Sequence, residues 1–131
     1  MQVLSSRVLL SPTDVDAAIE FYEHRLGLVR YREWGDAPHR GIVYFLGGGY
    51  LELTETPPDR PRPPAPAGVR LWLQVANAAA TCDGLAARGV DIAEPPERKP
   101  WGLIEAVVHD PDGLPLVIVE TPIDHPLRRR D

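Results

Sequence analysis

Six prolines crowd into Thr56–Gly68, with almost nothing large and apolar beside them. Proline has no amide N–H and a fixed φ, so this stretch cannot be a helix or the interior of a sheet. It is expected to be a stiff extended spacer. The spacer divides 131 residues into two short halves, neither long enough to bury a generous core alone. The predicted layout is a first module over 1–55, the linker over 56–68, a second module over 69–122 and a tail over 123–131, one domain in all.

The halves repeat one plan. Val3–Leu10 is an apolar run read as a strand, and Ser11-Pro12-Thr13-Asp14 stops it and starts a helix, with Thr13 or Asp14 as the cap. Val15, Ala18, Ile19, Tyr22 and Leu26 recur at helical spacing, and Gly27 closes the helix. Strands follow at Leu28–Glu33, Gly41–Leu46 and Tyr50–Thr54. Beyond the spacer come a strand at Val69–Val75, a helix at Ala78–Arg88 and a strand beginning at Gly89–Ile92. A hairpin then turns at Asp110-Pro111-Asp112-Gly113 between Ala106–Val108 and Leu116–Val119. Such internal repetition takes precedence in choosing a fold. It predicts an α+β protein of two βαβββ modules, whose curved mixed sheets surround a concave cup.

Composition narrows the functional classes. A net charge of −5 with one short basic run, Arg128–Arg130, disfavours nucleic acid as a partner. No apolar run approaches the roughly 20 residues of a membrane span. Cys82 is the only cysteine, so an intrachain disulfide is excluded; it falls on the expected buried face of the second helix. Together with the absence of an export signal, this predicts a cytoplasmic protein.

Phe21-Tyr22 with Leu26-Gly27-Leu28, Tyr50-Leu51-Glu52-Leu53, Ala87-Arg88-Gly89-Val90, Pro100-Trp101-Gly102 and Asp110–Gly113 together resemble the vicinal oxygen chelate superfamily. This is the glyoxalase, bleomycin-resistance and extradiol-dioxygenase group, and the resemblance runs from about Arg7 to Glu120. It implies the glyoxalase/bleomycin-resistance fold. It leaves activity open, because one scaffold of this kind carries many functions.

Metal-dependent members place histidine, glutamine or glutamate at up to four inward positions, one each on strands one, four, five and eight. Carried onto this chain, those positions are Arg7, Glu52, Arg70 and Val117. Only Glu52 offers a lone pair: arginine stays protonated and valine has no donor atom. A divalent site needs about three protein donors, and His24, His39, His109 and His125 are too scattered to supply them. The expectation is therefore no metal and no cofactor. Arg7 and Glu52 either pair across neighbouring strands or belong to a ligand site. Arg70 either forms a structural ion pair or clamps an anionic group of a ligand.

Trp34, Tyr50, Trp72 and Trp101 lie in the strands and in the loop before the last hairpin. The bleomycin-resistance branch often carries a tryptophan in a segment similar to Leu71-Trp72-Leu73-Gln74-Val75, and binds planar aromatic antibiotics without turnover. The resemblance thus implies sequestration of a small aromatic molecule, with Arg7, Glu52, Arg70, Trp72, Trp101, Trp34 and Tyr50 as ligand-binding residues, in a homodimer. The competing reading is an enzyme of the same fold: a metal-dependent lyase, isomerase or dioxygenase, or a metal-free one with Glu52 as general base.

Overall fold

The structure is a computed structural model that describes residues 1–62 and 67–127. It divides into two compact units, Met1–Pro66 and Ala67–Asp131. Part of the proline-rich spacer, residues 63–66, and the basic run with Asp131 lie outside the described residues. Nearer unit 1, the spacer is not simply extended. Arg60 N–H closes a turn on the Pro57 carbonyl at 3.0 Å, and Arg62 donates to the Ser11 carbonyl at 3.1 Å.

Unit 1 runs β1 (Arg7–Leu10), α1 (Val15–Ile19, continuing as a π-helical segment over Glu20–Arg25), β2 (Arg30–Trp34), β3 (Gly41–Leu46) and β4 (Gly49–Thr54). Unit 2 repeats this as β5 (Leu71–Val75), α2 (Ala78–Ala87), β6 (Glu94–Arg98), β7 (Ile104–His109) and β8 (Pro115–Glu120). The sheets have the same strand order, β1-β4-β3-β2 and β5-β8-β7-β6. In each, the first and last strands are parallel and the other pairs antiparallel. Two four-stranded mixed sheets with one helix apiece are the α+β, twice βαβββ architecture expected from the repeat.

Local chemistry explains the helices. Asp14 caps α1, its Oδ1 accepting from the Asp16 and Ala17 amides at 3.0 and 3.1 Å. The widening to a π-helical turn appears in the Leu26 N–H to Phe21 carbonyl bond of 2.8 Å, five residues back. It leaves Phe21 and Tyr22 both buried, their rings edge to face. Gly27, at φ +78°, then closes the helix in a conformation other residues resist. In unit 2, Asn77 accepts from the Ala80 amide, and Glu120 at the end of β8 accepts from Ala78, both at 2.9 Å.

Three strands start later than their apolar runs suggest: β1 at Arg7, β2 at Arg30 and β5 at Leu71. The larger difference is β6. Gly89–Ile92 is not its start; Gly89, at φ +85°, is the turn after α2, and the strand lies at Glu94–Arg98. Its Pro95 and Pro96 are tolerated because β6 is an edge strand, with the register shifting between Glu94 and Glu97.

Each unit buries one sheet face against its helix. In unit 1 that face carries Ile42, Tyr44, Leu51 and Leu53, all 3% exposed or less. In unit 2, Cys82 packs with Ala106 and Ile118, joined by Leu73, Val75 and Ile92. Burial pushes the Cys82 thiol up, with Asp83 adding to the effect, so it stays a protonated core residue.

Candidate functional site

The residues of interest stand on the faces turned away from the helices. In unit 1 the register pairs Arg7 with Tyr50, Tyr50 with Phe45, and Glu52 with Val43, which puts these side chains on one face. Arg7 Nη1 donates to Glu52 Oε1 at 2.8 Å, and the Thr54 hydroxyl donates to Glu52 Oε2 at 2.8 Å. Both carboxylate oxygens are thus engaged. The strand-to-strand pair that the sequence allowed is present.

Beside that pair lies an aromatic cluster. Tyr31 stacks on Tyr50 with ring centres 5.2 Å apart and planes 27° apart. Phe45 sits 5.0 Å from Tyr31 and 5.9 Å from Tyr50. The Arg7 guanidinium lies 5.7 Å from the centre of the Tyr50 ring, joining the ion pair to the aromatics. Tyr31 and Phe45 remain about half exposed. Tyr31 was not among the residues expected here. Strict alternation would set it apart from Arg32, but a bulge between Arg30 and Arg32 turns both toward this face.

Trp34, at the end of β2, lies across Gly41 of β3, where a Cβ would intrude on its indole ring. The Arg32 guanidinium stands 5.5 Å from the ring centre.

The opposite face of this sheet holds a polar network that anchors α1. Glu23 Oε1 accepts from Arg30 Nε at 2.8 Å and from the Tyr44 hydroxyl at 3.0 Å, and Arg30 also pairs with Glu33. Burial disfavours the Glu23 charge, yet the bonds from Arg30 and Tyr44 outweigh it and hold the carboxyl below its usual range. Burial, with the Glu23 hydrogen bond, pushes the Tyr44 phenol well above its ordinary value. Arg40 plays a similar part at the start of β3, bonding Glu55 through Nε and Nη2, both at 2.9 Å, and Asp16 through Nη1 at 2.8 Å. Those partners, Glu55 first, raise its guanidinium further, and the Arg40 bond lowers Glu55.

In unit 2, Trp72 pairs with Val117 and Gln74 with Val119 across β5 and β8, while Val119 pairs with Glu105 on β7. Trp72 is 50% exposed, whereas Leu71 before it is buried, so the tryptophan is on the outward set. Leu103, Val117 and Val119 form a small buried cluster on this face. Trp101, 57% exposed, donates its indole N–H to Glu105 Oε2 at 2.6 Å. Its carbonyl contacts His125 Nε2 at 3.2 Å, and His125 Nδ1 accepts from the Leu127 amide, holding the chain after β8 against this loop. Arg70 is exposed, just before β5, with no ion-pair partner among the described residues.

The donor set does not fit a divalent metal. Arg7 and Arg70 present only N–H donors and Val117 presents none. Glu52 is engaged by a guanidinium and a hydroxyl. Among the described residues no three histidine, cysteine, aspartate or glutamate side chains gather as a ligand set.

Twin βαβββ units, each a four-stranded mixed sheet with one helix, define the class of fold. The chain belongs to the Glyoxalase/Bleomycin resistance protein/Dioxygenase superfamily, whose family model matches residues 5–118. Among solved structures, SMU.1112c is 26% identical, with a TM-score of 0.76 over 92% of this chain and 99% of its own. A member of the same superfamily from Sphaerobacter thermophilus DSM 20745 is also 26% identical, with a TM-score of 0.64 over 92% and 97%. A glyoxalase/bleomycin resistance protein from Catenulispora acidiphila DSM 44928 is 25% identical, with a TM-score of 0.67 over 92% and 100%. No curated protein matches the chain. Among the described residues no helix is long and apolar enough to cross a membrane.

Proposed function

We propose that this protein binds a planar or aromatic small molecule without a metal and without turnover, sequestering it. The observation that carries the reading is the Arg7–Glu52 pair of 2.8 Å beside the half-exposed Tyr31 and Phe45 rings and the partly buried Tyr50 ring. Positions that would carry ligands in a metalloenzyme hold a self-satisfied ion pair, and the neighbouring surface is shaped for stacking on rings. Trp34 adds an aromatic surface in unit 1; Trp72 and Trp101 do so in unit 2, with Arg70 as a cation able to meet an anionic substituent. The family names of the relatives, which include bleomycin resistance, point the same way.

The competing enzyme reading draws less support. A general base near neutral pH needs burial without a cation beside it. Glu52 has Arg7 on one oxygen and Thr54 on the other. The homodimer implied by the resemblance and the cytoplasmic setting expected from the single cysteine belong to the same proposal, the first measurable by light scattering.

Calorimetric titration with a panel of planar aromatic compounds tests the reading. At least one is expected to bind at about one molecule per chain, unchanged after dialysis against a chelator. Activity toward an activated carbonyl or a catechol that depends on added metal would overturn it.

A further inference from the structure

β8 ends at Glu120, and the described chain runs on to residue 127. Little apolar burial holds this last segment: Ile123 and Leu127 are 78% and 58% exposed. His125 holds it instead. Its N–H closes a turn on the Pro122 carbonyl at 2.9 Å, and its Nε2 lies 3.2 Å from the Trp101 carbonyl. Among the described residues, the contact with Trp101 is the one hydrogen bond from residues 122–127 to another element.

The loop that His125 grips is fixed on its own account. Lys99 N–H donates to the Leu103 carbonyl at 2.8 Å, and Gly102 N–H to the Lys99 carbonyl at 2.9 Å. Gly102, at φ +92°, also makes room for the imidazole: a Cβ there would come within 3.2 Å of His125 Cδ2.

The partners of the ring assign its tautomer. A carbonyl only accepts, so Nε2 carries the proton. The Leu127 amide, 3.1 Å from Nδ1, only donates, so Nδ1 carries a lone pair. This is the neutral imidazole. Protonation acts on the two bonds in opposite ways. Nε2 becomes a charged donor and keeps the Trp101 carbonyl, whereas Nδ1 gains a hydrogen that points at another N–H and loses Leu127. The charged groups around the ring have other partners or stand along the chain. Arg98 Nη1 donates to the Gly102 carbonyl at 3.3 Å, Lys99 lies 3.9 Å from Glu97, and Glu105 accepts from the Trp101 indole. Asp124 precedes His125 in sequence, and Arg128–Arg130 follow. Among the described residues none forms an ion pair with His125.

We propose that His125 is a proton-operated pivot. Neutral, it turns the chain over residues 125–127; protonated, it stays on the Trp101 carbonyl and releases the chain beyond it. Imidazole changes charge between about pH 5 and 8, so the turn is closed at the upper end of that range and open at the lower. The pivot needs no bound ligand.

Backbone ¹⁵N relaxation of the whole chain tests it. The Leu127 order parameter is expected to fall from about 0.85 at about pH 8 to below about 0.6 at about pH 5. The amides of His125 and of residues 101–103 are expected to keep theirs. His125→Asn places a non-titrating acceptor within reach of the amide two residues on, and is expected to abolish the pH difference at Leu127. His109→Gln, in the same unit, is expected to leave it. Three results overturn the inference: equal Leu127 order at both pH values in the wild type, a loss of order that spreads to His125 and the loop, or a pH difference that persists in His125→Asn. The wild type alone decides the matter where a variant does not fold. The Leu127 amide must titrate in step with the ring protons of His125, and a separate midpoint overturns the pivot.

Discussion

Glu23 shows how a single side chain ties this fold together. It sits on the π-helical segment and receives Arg30 from β2 and Tyr44 from β3, so one carboxylate joins three elements. Replacing it with glutamine removes the charge from these bonds and is expected to cost about 1–2 kcal/mol at neutral pH, read from urea denaturation. The pH dependence follows from the sign of the shift. Folding lowers this carboxyl below its ordinary 4.5, so the unfolded chain binds the proton more readily. The stabilisation is present above the unfolded value and disappears as pH falls through the folded one. The stability gap between wild type and Glu23→Gln should therefore narrow on acidification; a gap constant from pH 7 to pH 3 would show that the charge plays no part.

At the scale of elements, the seam between β2 and β3 depends on a missing side chain. Trp34 occupies the space over Gly41, and a methyl group there would meet its indole carbons. Gly41→Ala should displace the ring and overpack the seam, costing about 1–3 kcal/mol, with a red shift in tryptophan emission as Trp34 moves into water. A melting temperature and emission equal to the wild type would show the ring to be mobile. On α2, Cys82 is 4% exposed and its thiol is pushed up by burial. Its reaction with a disulfide reagent should be slow in the native protein and fast in denaturant. Rapid native labelling would contradict the packing of Cys82 against Ala106 and Ile118. The missed start of β6 belongs at this scale too. Two prolines look like breakers along the chain, and only the edge position of β6 makes them harmless.

For the molecule as a whole, the repetition is the governing fact. Both sheets have the same order and the same mixture of parallel and antiparallel pairs, and the equivalent strands carry Arg7 and Glu52 in one unit and Trp72 and Val117 in the other. Of these four side chains only Glu52 carries a donor a divalent ion could use, and Arg7 and Thr54 already engage it. Added zinc, nickel or manganese is expected to leave the melting temperature unchanged, whereas a bound metal at micromolar affinity would raise it.

The repeat, the two helices with the Asp14 cap and Gly27 stop of the first, the Asp110–Gly113 turn and the poor metal donor set are all legible in the residue order. They rest on local chemistry: hydrophobic period, proline and glycine geometry, and the presence or absence of a lone pair. What joins Arg7 to Glu52 and brings Tyr31 beside Tyr50 is different in kind. Those outcomes depend on strand register, on a bulge that reverses the expected alternation, and on which guanidinium reaches which carboxylate. Contacts between residues up to 45 positions apart decide them, and only the folded chain brings such residues within 3 Å.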